Sequence, residues 1–264
     1  MTGIHQAVLA AGGSKSPFLF DIIQQLGLPS LQNVFDAADP RSTNGTSQTW
    51  TDVAANNNYQ RGSGAGSDGG DPTFNGTSGI ADESTYWSLD GGDWFQNADS
   101  TFLNAWIKDA GVGTLVAFAR TVAGANQVLF DGDSATANLQ AYFQGGGQMS
   151  FTHVTSNIGS QQTVTSSGLT VTNNTHHMLA WAFDEAVNEI DFYVDGNTNQ
   201  QTWNASTRTN NRTGTQSNIG TNFTSSLASG TRIFGVALAN ARWSSAQLAD
   251  LYARVKERRM PSLP

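Results

Sequence analysis

The sequence predicts an all-β protein over residues 33–240, a sandwich of two antiparallel sheets, and three observations carry that prediction. Apolar residues alternate through Leu179, Trp181 and Phe183, and again through Ile190, Phe192 and Val194. That period of two marks strands buried on one face and solvated on the other. Gly and Asn clusters punctuate the candidate strands, and Asp195-Gly196 is a dipeptide that tight turns favour. Charged residues make up only 13% of the chain, about half the usual share. Polarity rests instead on Asn, Gln, Ser, Thr and Gly, which suits Thr-rich outer strand faces and many turns.

Ahead of the sandwich, residues 1–32 read as an N-terminal arm. After a Gly12-Gly13 hinge, Ser16 can cap a short helix, Pro17 fits its first position, and Gly27 with Pro29 stops it. Phe18, Ile22 and Leu26 fall on one side of that helix, and Leu19 and Ile23 on the next. So apolar a helix cannot stay exposed; it either packs on the main domain or attaches the protein to another chain. Strands are predicted at 34–37, 49–53, 86–89, 101–108, 113–120, 126–130, 138–143, 148–155, 168–171, 178–183, 189–194, 200–204, 217–220 and 232–238. The longest irregular stretch, 54–79, is dense in Gly, Asn, Ser and Asp, and loops of that length are commonly functional or mobile. Residues 243–259 are expected to be helical. Ser244-Ser245-Ala246-Gln247 is a capping-box pattern, and Leu248, Leu251, Tyr252 and Val255 form an amphipathic stripe. The expected division is an arm at 1–32 and one domain at 33–264 that includes the C-terminal helix.

With 264 residues the chain can bury a real core without covalent staples. Cysteine is absent, which excludes disulfides and cysteine-ligated zinc. A net charge of −8 argues against general nucleic-acid binding. The balance is uneven: from Ala241 onward Arg242, Arg254, Lys256, Arg258 and Arg259 face only Asp250 and Glu257. Cations complementing a helix C-terminus explain most of that tail; an acidic partner is the other use. No apolar run is long enough to span a bilayer, and residues 1–13 lack the basic start of a signal peptide.

Four segments carry a family resemblance. They are Val34-Phe35-Asp36-Ala37-Ala38-Asp39-Pro40 with Thr49-Trp50-Thr51-Asp52; Asp71-Pro72-Thr73-Phe74-Asn75-Gly76 leading to Trp87-Ser88-Leu89-Asp90-Gly91-Gly92-Asp93; Phe192-Tyr193-Val194-Asp195-Gly196; and Arg232-Ile233-Phe234-Gly235-Val236-Ala237 with Trp243-Ser244-Ser245-Ala246-Gln247-Leu248. In this order they resemble the concanavalin A-like lectin/glucanase superfamily, in its laminin G-like branch, over about residues 33–255. The resemblance implies a jelly-roll sandwich. It does not name a function, because the family holds lectins, glycosidases, receptor modules and domains of phage structural proteins. The opening Met1-Thr2-Gly3-Ile4-His5-Gln6-Ala7-Val8-Leu9-Ala10 is similar to the openings of phage and prophage particle proteins.

Glycosidases of this superfamily use a pattern such as E-x-D-x-E, in which one carboxylate attacks and another protonates the leaving oxygen. Glu189 and Asp191 match its first two positions, but Tyr193 and Val194 stand where the second glutamate is needed. The four histidines, His5, His153, His176 and His177, have no G-x-S-x-G elbow beside them. Adjacent His176 and His177 point to opposite faces of a strand and cannot chelate one metal. Calcium has candidate oxygen ligands in Asp68 and Asp71 and in Asp131 and Asp133, although neither pair extends into an EF-hand and solvated turns are the plainer account. Gly62-Ser63-Gly64-Ala65-Gly66 lacks the strand-to-helix setting of a phosphate loop. Glycan binding needs an exposed aromatic ring with amide or carboxylate neighbours. Tyr86, Trp87, Asp90, Asp93, Trp94, Phe95, Trp203 and Asn204 are the candidates, with core packing as the competing account of the rings.

The expected function is a non-enzymatic structural or adhesion protein of a phage-like particle, a capsid decoration, spike or tail-associated component. It would sit on the virion as a homo-oligomer and touch other virion proteins through Phe18, Leu19, Ile22, Ile23 and Leu26. Cell-surface glycans are its candidate ligands, with no cofactor beyond a candidate calcium ion and no nucleic-acid or membrane partner. The alternatives are a lectin domain of a bacterial secreted protein, extracellular or at the cell surface, and a glucanase-type glycoside hydrolase.

Overall fold

The computed structural model describes residues 15–264 except 56, 65, 107–109, 123, 125, 133–138, 145, 156–159, 204–215 and 223–224. Two eight-stranded sheets are formed by the described residues, and every pairing in them is antiparallel. The first contains β1 (Leu31–Asp36), β4 (Thr73–Asn75), β5 (Tyr86–Leu89), β7 (Val112–Arg120), β12 (His176–Asp184), β13 (Glu189–Val194), β14 (Asn197–Thr202) and β16 (Thr231–Ala239). Their order is β14-β13-β12-β7-β16-β5-β4, with β1 also paired to β16. The second contains β2 (Thr49–Trp50), β3 (Tyr59–Arg61), β6 (Phe95–Asn97), β8 (Gln127–Gly132), β9 (Leu139–Phe143), β10 (Met149–Thr155), β11 (Ser160–Thr165) and β15 (Ser217–Ile219), in the order β11-β10-β9-β8-β15-β6-β3-β2. This is the expected jelly-roll sandwich, with helices α1 (Leu19–Leu26) and α2 (Ser245–Arg258) at its two chain ends.

The inner faces of the two sheets meet in an aromatic core. Trp50 and Phe95 lie 4.5 Å apart between ring centroids, Phe35 and Tyr59 5.0 Å, and Phe151 and Phe183 5.0 Å. Trp181 of the first sheet donates its indole N–H to Ser150 O of the second at 3.0 Å, so its one polar group is satisfied inside the core.

The outer face of the first sheet departs from expectation. Alternation predicted a wet face, yet Val116, Phe118, Met178, Ala180, Ala182 and Tyr193 are buried there beneath Leu19, Ile22 and Ile23 of α1 and Leu248, Leu251 and Val255 of α2. A sheet covered on both faces reads as a continuous apolar run; Leu115-Val116-Ala117-Phe118-Ala119 is such a run. Each fully buried aliphatic or aromatic side chain in this second layer contributes about 1.5–3 kcal/mol.

This packing decides between the two fates of the short helix in the arm. Leu19, Ile22 and Ile23 are completely buried against the chain's own sheet, so they are not free to attach another protein. Phe18 and Leu26 are partly buried, Phe18 beneath the Arg41 guanidinium at 5.9 Å and Leu26 against the same outer cluster. Ser16 does not cap α1. Its hydroxyl donates to Asp21 at 2.5 Å, while the first helical amide, Leu19 N–H, donates to Asp36 Oδ2 at 2.8 Å. Gly27 ends the helix as expected, in the left-handed region at φ 63° with its N–H returned to Gln24 O. At α2 the capping box is present: Gln247 N–H donates to Ser244 Oγ at 3.3 Å, and Ser244 N–H donates to Gln247 Oε1 at 2.8 Å.

Other boundaries shift. The strand expected at 101–108 is a 3₁₀ helix over Thr101–Ala105, because Leu103 and Trp106, three residues apart, both turn into the core. Residues 168–171 form a loop, and β3 and β4 fall inside the stretch expected to be irregular. β6 and β11 are further additions.

Candidate functional site

At one edge of the first sheet the loop at 166–175, between β11 and β12, faces the β13–β14 hairpin. The hairpin turns through Asp195 (φ 47°) and Gly196 (φ 94°), left-handed positions that suit a two-residue turn and explain the predicted Asp-Gly. Between loop and hairpin runs an open groove of about 880 Å³. Leu169 and Val194 give it an apolar floor, and Ser167, Thr170, Thr172, Thr175, Asn197, Thr198 and Asn199 give it polar walls. Asn199 joins the two sides, accepting from Ser167 N–H at 2.8 Å and from Gln201 Nε2 at 2.8 Å.

His177 and Asp195 pin the base of the groove. Asp195 accepts from Met178 N–H at 2.8 Å through Oδ1 and bonds His177 Nδ1 through Oδ2. On the other ring edge, His177 Nε2 lies 2.9 Å from Thr172 O and 3.0 Å from Thr172 N. Both ring nitrogens are therefore occupied in holding the loop to the hairpin. The adjacent His176 does point to the opposite face, where it bonds Ser262. His153 is elsewhere, inside the sandwich, 2.6 Å from Glu185.

The structure does not unite the glycan candidates named from sequence. Trp87 is fully buried among Trp50, Phe74 and Phe95, and Trp203 is buried beside His153; neither ring has a face to offer a sugar. Phe95 is likewise core. Tyr86 lies on the outer face of the first sheet against Phe234. Asp90, Asp93 and Trp94 do share one loop: Asp93 Oδ2 accepts from Asp90 N–H at 2.8 Å, and the Trp94 ring rests on Gly70, where a Cβ would come within 2.5 Å of Cζ3. Burial, opposed by the Asp90 amide and reinforced by the Asp90 carboxylate, pushes the Asp93 carboxyl up to about 7. Asn204 lies outside the described residues.

The described candidate calcium ligands make hydrogen bonds within the chain, although Asp71 Oδ1 is buried without a partner. Asp68 accepts from Ser63 and from Gly70 N–H, and Asp71 Oδ2 accepts from Gln48 Nε2 at 2.8 Å. Asp131 is not in a loop; it is buried in β8 with Gln140 Nε2 at 3.1 Å. Asp133 lies outside the described residues. Among the described residues no group of three or more His, Cys, Asp or Glu side chains is placed to hold a metal.

The glucanase-like pair has a structural occupation. Arg242, in the connection from β16 to α2, donates to Glu189 Oε2 at 2.7 Å and to Asp191 Oδ2 at 3.0 Å. Most of the basic tail is similarly engaged: Arg259 with Asp36 at 2.8 Å, Arg254 with Glu257 at 3.0 Å, and Arg258 with Gln25 at 2.7 Å. Sequence reasoning missed the groove itself. Its only sequence signal is the Ser/Thr/Asn-rich run 166–175 ahead of the histidines.

Sheet order and the aromatic core between the sheets define the chain as a jelly-roll sandwich of two antiparallel sheets. No protein-family model matches the chain, and no curated protein matches it in sequence. Among solved structures it is similar to Trypanosoma rangeli sialidase in complex with the inhibitor DANA (TM-score 0.53, 12% identity, 84% of this chain and 32% of that one). It is similar to a botulinum neurotoxin type C structure whose cell entry is described as dependent upon interaction with two ganglioside molecules (TM-score 0.55, 9% identity, 86% and 51%). It is also similar to Ruminococcus gnavus IT-sialidase CBM40 bound to α2,3 sialyllactose (TM-score 0.52, 12% identity, 63% and 96%). The chain thus spans about a third of the sialidase and about half of the neurotoxin chain. At these identities the likeness establishes the fold.

Proposed function

We propose that this chain is a non-enzymatic glycan-binding module that holds a carbohydrate in the groove between the 166–175 loop and the β13–β14 hairpin. One observation carries the reading: hydroxyl and amide side chains line an open groove above the apolar patch of Leu169 and Val194. Such a lining matches a sugar, whose hydroxyls need donors and acceptors and whose C–H faces need apolar contact. Of two structurally similar proteins, one is described as dependent upon interaction with two ganglioside molecules for cell entry and the other as bound to α2,3 sialyllactose, which supports the same reading. Engagement of Glu189 and Asp191 by Arg242, and of both His177 ring nitrogens by Asp195 and Thr172, supports binding over hydrolysis.

A glycan array followed by calorimetry on the best ligand tests this, with Thr170→Trp as the variant that fills the groove. Thr170 is exposed, so the folded state should survive while affinity drops at least about tenfold, roughly 1.4 kcal/mol. An array without binders, or affinity unchanged in Thr170→Trp, rejects the groove as a glycan site.

The finer proposal, an adhesion component of a phage-like particle, rests on the opening residues and on the low-charge, Asn- and Thr-rich composition. Of the five apolar residues proposed for attachment, Leu19, Ile22 and Ile23 are taken up by the chain's own sheet, and Phe18 and Leu26 are the two left partly exposed. Co-sedimentation of the purified chain with particles, and its mass in solution, test placement and oligomerisation.

A further inference from the structure

The part of the first sheet's outer face that the helices leave open carries a polar row across five strands. The register sets His176 of β12 opposite Arg120 of β7, Arg120 opposite Arg232 of β16, Arg232 opposite Ser88 of β5, and Ser88 opposite Thr73 of β4. Residues directly opposite in neighbouring strands share a face with their Cβ atoms about 4.5–5.5 Å apart. Ring contacts confirm which face: the Arg232 guanidinium lies 4.5 Å over Tyr86, and His176 stands edge-on to Phe234 at 5.0 Å.

Like charges directly opposite in a sheet are destabilising, and here the register sets two arginines opposite one another, with His176 opposite Arg120 on its other side. Net charge is −8, so a basic cluster is not a by-product of composition. Among the described residues neither guanidinium has a carboxylate ion pair: Arg120 donates to Asn174 O and Oδ1 at 3.3 and 3.0 Å, and Arg232 stacks on Tyr86. The nearby acid, Glu83, accepts from Ser262 N–H at 2.7 Å and stands 3.8 Å from His176 Nδ1. His176 Nε2 is buried without a hydrogen-bond partner. Burial holds the His176 imidazole below its ordinary range; Glu83 opposes that shift, and Arg120 and Arg232 add to it.

We propose that this row is an oxyanion site, in which Arg120 and Arg232 together bind one carboxylate or sulfate group of a ligand lying across β7, β16 and β5. Guanidinium forks match the planar spacing of such oxygens, and the bound anion offsets the repulsion between the two arginines. Ser88, opposite Arg232, borders the pair, its hydroxyl donating to Thr73 O at 3.2 Å and accepting from Asn75 Nδ2 at 3.0 Å. The site is on the face opposite His177 and is separate from the groove. Only the choice of a sugar as the scaffold rests on the glycan reading.

The test uses inorganic sulfate against chloride at constant ionic strength, read by NMR at the arginine Nε–H resonances of the full chain. Arg120 and Arg232 should shift saturably while Arg254, paired on α2, stays still. Arg232→Gln and Arg120→Gln should each weaken binding about tenfold or more, the cost of a lost charged hydrogen bond, and Arg232→Lys should recover part of it. Linear, non-saturating shifts, or saturable shifts that persist in both glutamine variants, overturn the proposal. A second arm compares sulfated, uronate and neutral oligosaccharides of equal length by calorimetry. Tighter binding of either charged ligand, lost in Arg232→Gln, supports the site and distinguishes sulfate from carboxylate; equal affinities for all three count against it. Sulfate binding with no glycan bound leaves this site standing and removes the glycan reading. Neutral-glycan binding without sulfate does the reverse.

Discussion

Asp36 and Arg259 form an ion pair of 2.8 Å with both side chains essentially out of solvent. Asp36 also receives the first amide of α1 and the Ala38 N–H at 2.9 Å, while Arg259 donates to Phe234 O at 2.9 Å. Removing one partner strands a buried charge, so Asp36→Ala should lose roughly 3–5 kcal/mol in denaturant unfolding. Asp93 behaves in the opposite sense. Its folded-state carboxyl is raised by burial to about 7, from an ordinary 3.8. Between those values the folded state binds the extra proton, so stability conferred at low pH is lost as pH rises toward and through 7. Denaturant midpoints from pH 5 to 8 should therefore fall less steeply in Asp93→Asn than in the parent; identical slopes would contradict the burial argument.

Elements depend on single contacts that join them. Ser244→Ala removes one half of the α2 capping box and should cost about 1 kcal/mol, visible as a lower denaturant midpoint with unchanged slope. At Gly113 in β7 an added Cβ would come within 2.4 Å of Trp106 Cε2. Gly113→Ala must push that indole out of the core, and such overpacking costs about 1–3 kcal/mol. Reduced thermal stability with altered tryptophan fluorescence would be the signature. The same contact explains why Thr101–Ala105 turns as a 3₁₀ helix: Trp106 reaches the core only if the chain coils.

Across the whole molecule, the first sheet is a middle layer with the second sheet on one side and the two helices on the other. Deleting residues 1–28 would uncover Val34, Val116 and their neighbours. The truncated chain should unfold at lower temperature and bind a hydrophobic dye, whereas a merely appended arm would leave both measurements unchanged.

Local chemistry was legible from residues alone. Asp195-Gly196 specified a tight turn, Gly27 a helix end and Ser244 with Gln247 a helix start, because each acts within a few residues of itself. Alternation at Ile190, Phe192 and Val194 correctly marked the inner face, and the mismatch at Tyr193 and Val194 already spoke against a glucanase pair. Long-range partners were not legible. Nothing near Asp36 announces Arg259, nothing near Glu189 announces Arg242, and Trp87 and Trp94 look alike until one is enclosed by three rings and the other rests on a glycine. The sequence by itself therefore determined the sandwich, its Asp-Gly turn, the end of α1 at Gly27 and the start of α2 at Ser244, through periodicity and backbone preference, but not the start of α1. Only the tertiary structure decided that α1 packs inward, that the groove opens between a loop and a hairpin, and that Arg120 and Arg232 stand side by side, because those follow from strand register between segments far apart in the chain.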